Sequence, residues 1–204
     1  MKKYIKWIIF TILLILFLII GFLVLKGNDI YVDEFIYSKI DLIVNDRNTS
    51  IFKFITYLGS AYVVISLTIL GFILIKNKKY SLFMSINLIS ITLLQFILKN
   101  IYSRERPIDI SLIEESGYSF PSGHSLTAMA FYGLLIYYIY KSNINKNKKI
   151  VLEILFSIII LLIGLSRIYL GVHYFTDVVG AFSFSICYLI IYTRIIGRWL
   201  YDMS

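Results

Sequence analysis

One cysteine, two prolines, two histidines and only 16% charged residues make up the scarce side of this 204-residue sequence. Each scarcity excludes something. Cys187, alone and set in an apolar run, can form no internal disulfide and packs as a small hydrophobe. No stretch is rich enough in proline, glycine or serine to link two units, so residues 1–204 read as a single domain. Acidic residues are outnumbered 12 to 20 by lysine and arginine, giving a net charge of +8. That excess does not point to nucleic acid, because the lysines sit in short clusters between apolar runs, as in loops facing the cytoplasm. What is abundant is apolar surface: 59% of residues are hydrophobic and the mean hydropathy is +0.81. A soluble domain carries nearer half. The chain belongs in a membrane.

A helix needs about 20 mostly apolar residues to cross the hydrocarbon, where only internally hydrogen-bonded backbone survives. The sequence predicts an all-α bundle of six transmembrane helices near residues 5–25, 55–75, 81–98, 122–140, 150–166 and 176–195. The first has the basic start of a signal peptide, but its apolar run is long and "LVLKGND" offers no small-residue cleavage site, so an uncleaved anchor is expected. Six spans put four basic clusters on one side: Lys2, Lys3 and Lys6; Lys76, Lys78 and Lys79; Lys141, Lys146, Lys148 and Lys149; Arg194 and Arg198. The positive-inside rule makes that side, with both termini, cytoplasmic. The opposite loops carry Asp29, Asp33, Glu34, Asp41, Asp46, Glu114 and Glu115. Between the first two spans, Val32, Phe35, Ile36, Ile40, Ile43 and Val44 recur at helical spacing, which predicts an amphipathic helix in the outer interface or covering the bundle, without a catalytic part. Asn48-Thr49-Ser50 matches a glycosylation sequon, too short a match to carry weight.

Three polar clusters fall at the predicted outer ends of helices three to six: "KNIYSRERP", with Lys99, Arg106 and Pro107; "FPSGHS", with Pro121, Ser122, Gly123 and His124; and "SRIYLGVHYFTD", with Arg167, His173 and Asp177. Singly, each has a plain explanation. Basic residues at a membrane boundary commonly snorkel, and proline commonly opens a helix. Together they are less easily dismissed, since both histidines of the chain lie in these clusters on one predicted side. An ionisable residue near a bilayer is expensive and marks a site by default. Ser122 and Gly123 in a first helical turn would aim backbone N–H groups and the positive end of the helix dipole at an anion. Lys99, Arg106 and Arg167 add three cations, two of them forks suited to phosphate oxygens. Asp177 follows His173 by four residues, so on a helix the two share a face; a carboxylate on one ring nitrogen fixes the tautomer and frees the other nitrogen as base or nucleophile. A metal site of His124, His173, Asp177 and Glu114 or Glu115 is the rival reading. The three cations would repel a divalent ion, and no paired-ligand spacing occurs, so phosphate is preferred.

In order and internal spacing the clusters resemble the motifs K-x6-R-P, P-S-G-H and S-R-x5-H-x3-D of the type 2 phosphatidic acid phosphatase superfamily, every defining position filled; "TYLGSAY" is also similar to bacterial members. The resemblance implies His173 as a nucleophile forming a phosphohistidine, Asp177 orienting it, and His124 as the general acid. It implies Lys99, Arg106, Arg167, Ser122 and Gly123 as phosphate-binding residues, with no metal or cofactor, the fixed cations standing in for magnesium. The substrate expected is a phosphorylated lipid presented among membrane lipids at the outer face. Undecaprenyl diphosphate is the first expectation, with phosphatidylglycerophosphate or phosphatidic acid as the alternative. A binding or transport protein without catalysis would typically have lost a histidine, and this chain retains both.

Overall fold

The computed structural model describes residues 2–27, 30–107 and 110–201. Of the charges counted above, Asp29 and the side chains of Lys2, Lys3 and Arg198 lie outside the described residues. The described residues form eight helices and no strand: α1 (Lys2–Leu25), α2 (Tyr31–Asp41), α3 (Asp46–Tyr57), α4 (Ala61–Leu74), α5 (Lys78–Tyr102), α6 (Gly123–Lys141), α7 (Lys146–Tyr169) and α8 (Phe175–Tyr201).

The helix α6 is the axis, packed against α5, α7 and α8, while α1 lies along α8, α3 along α7 and α4 along α5. Its small residues Gly123, Ser125, Ala128 and Ala130 are buried, which lets neighbouring backbones come close. The outer helices show the opposite pattern. On α1, Phe17, Ile20 and Val24 form a buried stripe at helical spacing, whereas Ile8, Ile12, Ile15, Leu18, Ile19 and Phe22 are exposed. On α5 the buried stripe is Ser81, Met84, Asn87 and Ile91, and the Asn87 amide donates to the Ala130 carbonyl of α6 at 3.0 Å.

By length and apolarity α1, α5, α7 and α8 can each cross a bilayer, and α3 with α4 forms a fifth candidate bent by 41°. The structure thus corrects the sequence reading in three respects. The span expected at 55–75 is two helices, broken at Leu58-Gly59-Ser60, where the Ser60 hydroxyl accepts from the Val63 N–H and starts a new helix. Second, α6 is not apolar enough to be read as a span by composition, in keeping with its position sheltered between α5, α7 and α8; six spans are therefore not established. Third, α2 stops at Asp41, short of Ile43 and Val44, and turns a polar face inward: Asp33 is 3% exposed while Phe35 is 46% exposed.

The turn ending α7 positions the site. Gly171 has φ +68°, its N–H reaches the Ile168 carbonyl at 3.0 Å, and the Val172 N–H reaches Arg167 at 3.3 Å, the paired bonds of a Schellman cap. A Cβ on Gly171 would lie 2.1 Å from the Ile110 carbonyl oxygen, so the α5–α6 loop can settle on this turn only over a glycine. The Leu112 N–H then bonds the Leu170 carbonyl at 2.9 Å. Gly27 also has a positive φ, of +64°, but nothing lies within 4 Å of its Cβ position. We predict that Gly27→Ala loses about 1–2 kcal/mol, the left-handed penalty alone, and that Gly171→Ala loses clearly more; thermal unfolding in detergent measures both, and equal losses would contradict the packing argument.

Candidate active site

At one end of the bundle meet the last turns of α5 and α7, the first turns of α6 and α8, helix α2 and the loop between α5 and α6. Local sequence explains the convergence. Ser103, with φ +44°, stops α5. The chain then runs without regular structure through Arg104 and Arg106, which reach Asp177 and His173. The Schellman turn reverses α7 within a few residues, so that His173 precedes the start of α8 and Asp177 lies in its first turn.

The Asp177 carboxylate is fully buried and takes four donors. Arg104 Nη1 reaches Oδ1 at 2.6 Å; Oδ2 accepts from the Ser119 hydroxyl, from the Tyr174 N–H at 2.9 Å and from His173 Nδ1 at 3.4 Å. The Tyr174 bond is the reciprocal half of a capping box, in which a carboxylate in the first turn takes the N–H of the cap residue. On the other side of the ring, Arg106 Nη1 stands 3.3 Å from His173 Nε2. Because a guanidinium only donates, Nε2 presents its lone pair and the ring proton belongs on Nδ1, facing Asp177. Burial pushes the His173 pKa down to about 4, against the opposing hydrogen bond and charge of Asp177. At neutral pH the ring is uncharged.

A cavity of about 630 Å³ opens onto this ring and is walled there by Lys99, Arg106, Glu115, Gly123, His124 and His173. It continues along Ala61 and Ile65 of α4 and Leu88, Ile89, Thr92 and Leu93 of α5, a mainly apolar wall. The structure thus brings together on one surface five of the eight residues singled out in the sequence. Asp177 and Arg167 stand behind that surface. Ser122 is fully buried, its hydroxyl 3.0 Å from that of Ser125 and its N–H donating to the Asp177 carbonyl at 3.2 Å. Helix α6 carries no side-chain cap, which leaves its first turn of N–H groups uncapped. Gly123 packs closely on Gln95: a Cβ there would sit 2.6 Å from Gln95 Nε2, the movable end of that side chain.

The cations are hydrogen-bonded to internal acceptors. Lys99 donates to the Tyr118 carbonyl, and Arg106 donates to Gly117 at 2.8 Å, Ser116 at 3.0 Å and Val172 at 2.8 Å. Arg167, 1% exposed, donates to the Thr56 hydroxyl at 2.9 Å and to Glu115, and its Nε is buried without a partner. Burial raises the Glu115 pKa, but the charge and hydrogen bond of Arg167 outweigh it and hold the carboxyl below its usual range. Sequence reasoning weighed Glu115 only as a metal ligand, and it missed Arg104, Asp33, Ser119 and Thr56. Arg104 had a local signal, standing two residues before Arg106 in the same cluster; Asp33 had none. Among the described residues, no group of three His, Cys, Asp or Glu is placed to hold a metal.

The family follows from comparison. Residues 80–201 match the model of the PAP2 superfamily, and the chain belongs to that superfamily. It is a multi-pass membrane protein. It is 35% identical over 156 residues to phosphatidylglycerophosphatase B of Bacillus subtilis (strain 168), covering 74% of this chain and 76% of that relative. The crystal structure of a transmembrane PAP2-type phosphatidylglycerolphosphate phosphatase from Bacillus subtilis superimposes with a TM-score of 0.83 at 29% identity, covering 93% of this chain and 96% of that one. LpxE of Aquifex aeolicus matches with a TM-score of 0.63 at 28% identity, over 78% of this chain and 93% of that one.

With only two histidines in the chain, His124→Gln leaves His173 as the sole imidazole. Its ring resonances should stay those of a neutral Nδ1–H tautomer from pH 8 to 5.5 and titrate near 4. A midpoint near the ordinary value of about 6.5 would contradict the burial argument.

Proposed function

We propose that this chain is a membrane lipid phosphatase that removes a terminal phosphate through a phosphohistidine. The observation that carries this reading is a neutral, carboxylate-backed imidazole facing a cavity walled by Lys99, Arg106, His124 and the uncapped first turn of α6. His173 Nε2 attacks phosphorus while the bond from phosphorus to the leaving oxygen breaks, and His124 gives that oxygen its proton. Asp177 stabilises the charge that develops on the ring. A water, deprotonated by His124, then attacks the phosphohistidine, releasing inorganic phosphate and restoring His173. Lys99, Arg106, Arg167 and the N–H groups around Gly123 bind the equatorial oxygens. Ser122 supports that turn. The unpartnered Arg167 Nε is a donor awaiting such an acceptor. These fixed charges do the work of a metal, so catalysis requires neither metal nor cofactor.

The reading extends to topology. With α3–α4 as one broken span and α6 as a span sheltered by its neighbours, the chain is a single six-span domain. The lysine clusters fall at the end away from the site, which puts both termini in the cytoplasm and the site outside. The apolar wall along α4 and α5 suits a lipid tail. Phosphatidylglycerophosphate leads as substrate, because the Bacillus subtilis relatives are phosphatases of that lipid. Undecaprenyl diphosphate is the second reading, favoured by an outward site at the surface where cell-wall polymerisation releases it.

Purified protein in detergent with EDTA should release phosphate from phosphatidylglycerophosphate faster than from undecaprenyl diphosphate. The activity should vanish in His173→Ala and fall about 10²–10⁴-fold in His124→Gln. Activity that needs added magnesium, or a soluble phosphate ester outrunning both lipids, would contradict the reading. A phosphoryl group must also displace Glu115 from Arg167. Inhibition by inorganic phosphate should therefore tighten several-fold in Glu115→Gln, and a weaker inhibition would show that Glu115 helps to hold the anion.

A further inference from the structure

Helix α2 was expected to cover the bundle, yet its inward face grips the segment that carries His173 at three points. Asp33 Oδ1 accepts from the Thr176 N–H at 2.9 Å, and Oδ2 accepts from the Thr176 hydroxyl at 2.7 Å and from Arg104 Nη2 at 2.9 Å. The Tyr37 hydroxyl donates to the His173 carbonyl at 2.7 Å. The Tyr37 ring meets Tyr174 edge to face at 5.9 Å. Arg104 completes the circuit. It is 14% exposed on its side chain, bridges Asp33 to Asp177, and lies 3.9 Å over the Tyr174 ring.

Physical chemistry gives this arrangement a task. Helix α8 begins at Phe175, so its cap residue is Tyr174, whose side chain has no acceptor for the second-residue N–H. Asp33, 143 residues away, supplies that acceptor from another helix. The same carboxylate fixes the second arm of Arg104, whose first arm neutralises the Asp177 oxygen turned away from His173. A buried carboxylate without such a partner would be strongly destabilised and would turn toward other donors. We propose that Asp33, acting through Arg104, is a positioning residue for the Asp177–His173 pair, so that helix α2 belongs to the catalytic apparatus. This rests on the reading of His173 as nucleophile.

The test measures kcat and KM on phosphatidylglycerophosphate in detergent, with the unfolding midpoint of each variant, for Asp33→Asn, Arg104→Met, Arg104→Lys, the double variant Asp33→Asn/Arg104→Met, His173→Ala and the exposed neighbour Glu34→Gln. Asp33→Asn should lower kcat about tenfold or more with KM nearly unchanged, in the range seen when groups behind a reacting residue are removed. The double variant should be little worse than Arg104→Met, because the two residues act as one unit. Arg104→Lys should recover part of what Arg104→Met loses, and Glu34→Gln should match the parent. A folded Asp33→Asn with parental kcat, or additive losses in the double variant, would overturn the proposal. If Asp33→Asn does not fold, the Arg104 pair decides: Lys above Met supports the positioning role, and equal kcat overturns it. Activity surviving in His173→Ala would instead overturn the nucleophile reading itself.

Discussion

A single buried carboxylate organises this end of the molecule. Asp177 is closed to solvent, and an ionised carboxylate in a poorly polarisable interior is tolerated only with opposite charge and full hydrogen bonding. Its donors come from the segment leaving α5, the loop entering α6 and the turn entering α8. Satisfying one side chain therefore fixes the relative placement of three chain segments, and the ring of His173 is held among them. The Schellman turn at Gly171 and the left-handed Ser103 are the backbone devices that let those segments reach it.

Around the cavity the donors of Lys99, Arg106 and Arg167 are taken up by internal acceptors, although among the described residues only Glu115 opposes them with an ion pair. Carbonyls of residues 116–118 occupy Lys99 and Arg106, and Glu115 occupies Arg167. Under the proposed function an incoming phosphoryl group would exchange these internal acceptors for its own oxygens. Away from this end the chain returns to apolar surface, and the cavity joins the two regimes: charged side chains beside His173, apolar side chains along α4 and α5.

Much of this was legible in the sequence. Lys99, Arg106, Gly123, His124, His173 and Asp177 lie in three short motifs whose internal spacing is local, and the length of the apolar runs carried most of the element placement. What escaped depends on distance along the chain. Asp33 reads as one more acid in an outward loop until α2 is folded against α8, and no periodicity marks an acid that caps another helix. Glu115 reads as one more outward acid, or as part of the disfavoured metal set, until Arg167 is seen beside it. The break at Gly59 was hidden because apolar composition continues across it. Helix α6 was expected as one of six spans, whereas its shielding by α5, α7 and α8 is a property of packing that composition does not carry.

The central claim is that His173 Nε2 carries the phosphoryl group. The most direct measurement is rapid acid-free quenching during turnover of a phosphorus-labelled lipid, followed by peptide mapping of the labelled protein. The account predicts an acid-labile, base-stable phosphate on the peptide bearing His173, absent when Asp177 is replaced by alanine. Label on another residue, or turnover at full rate with no labelled protein at any quench time, would contradict it.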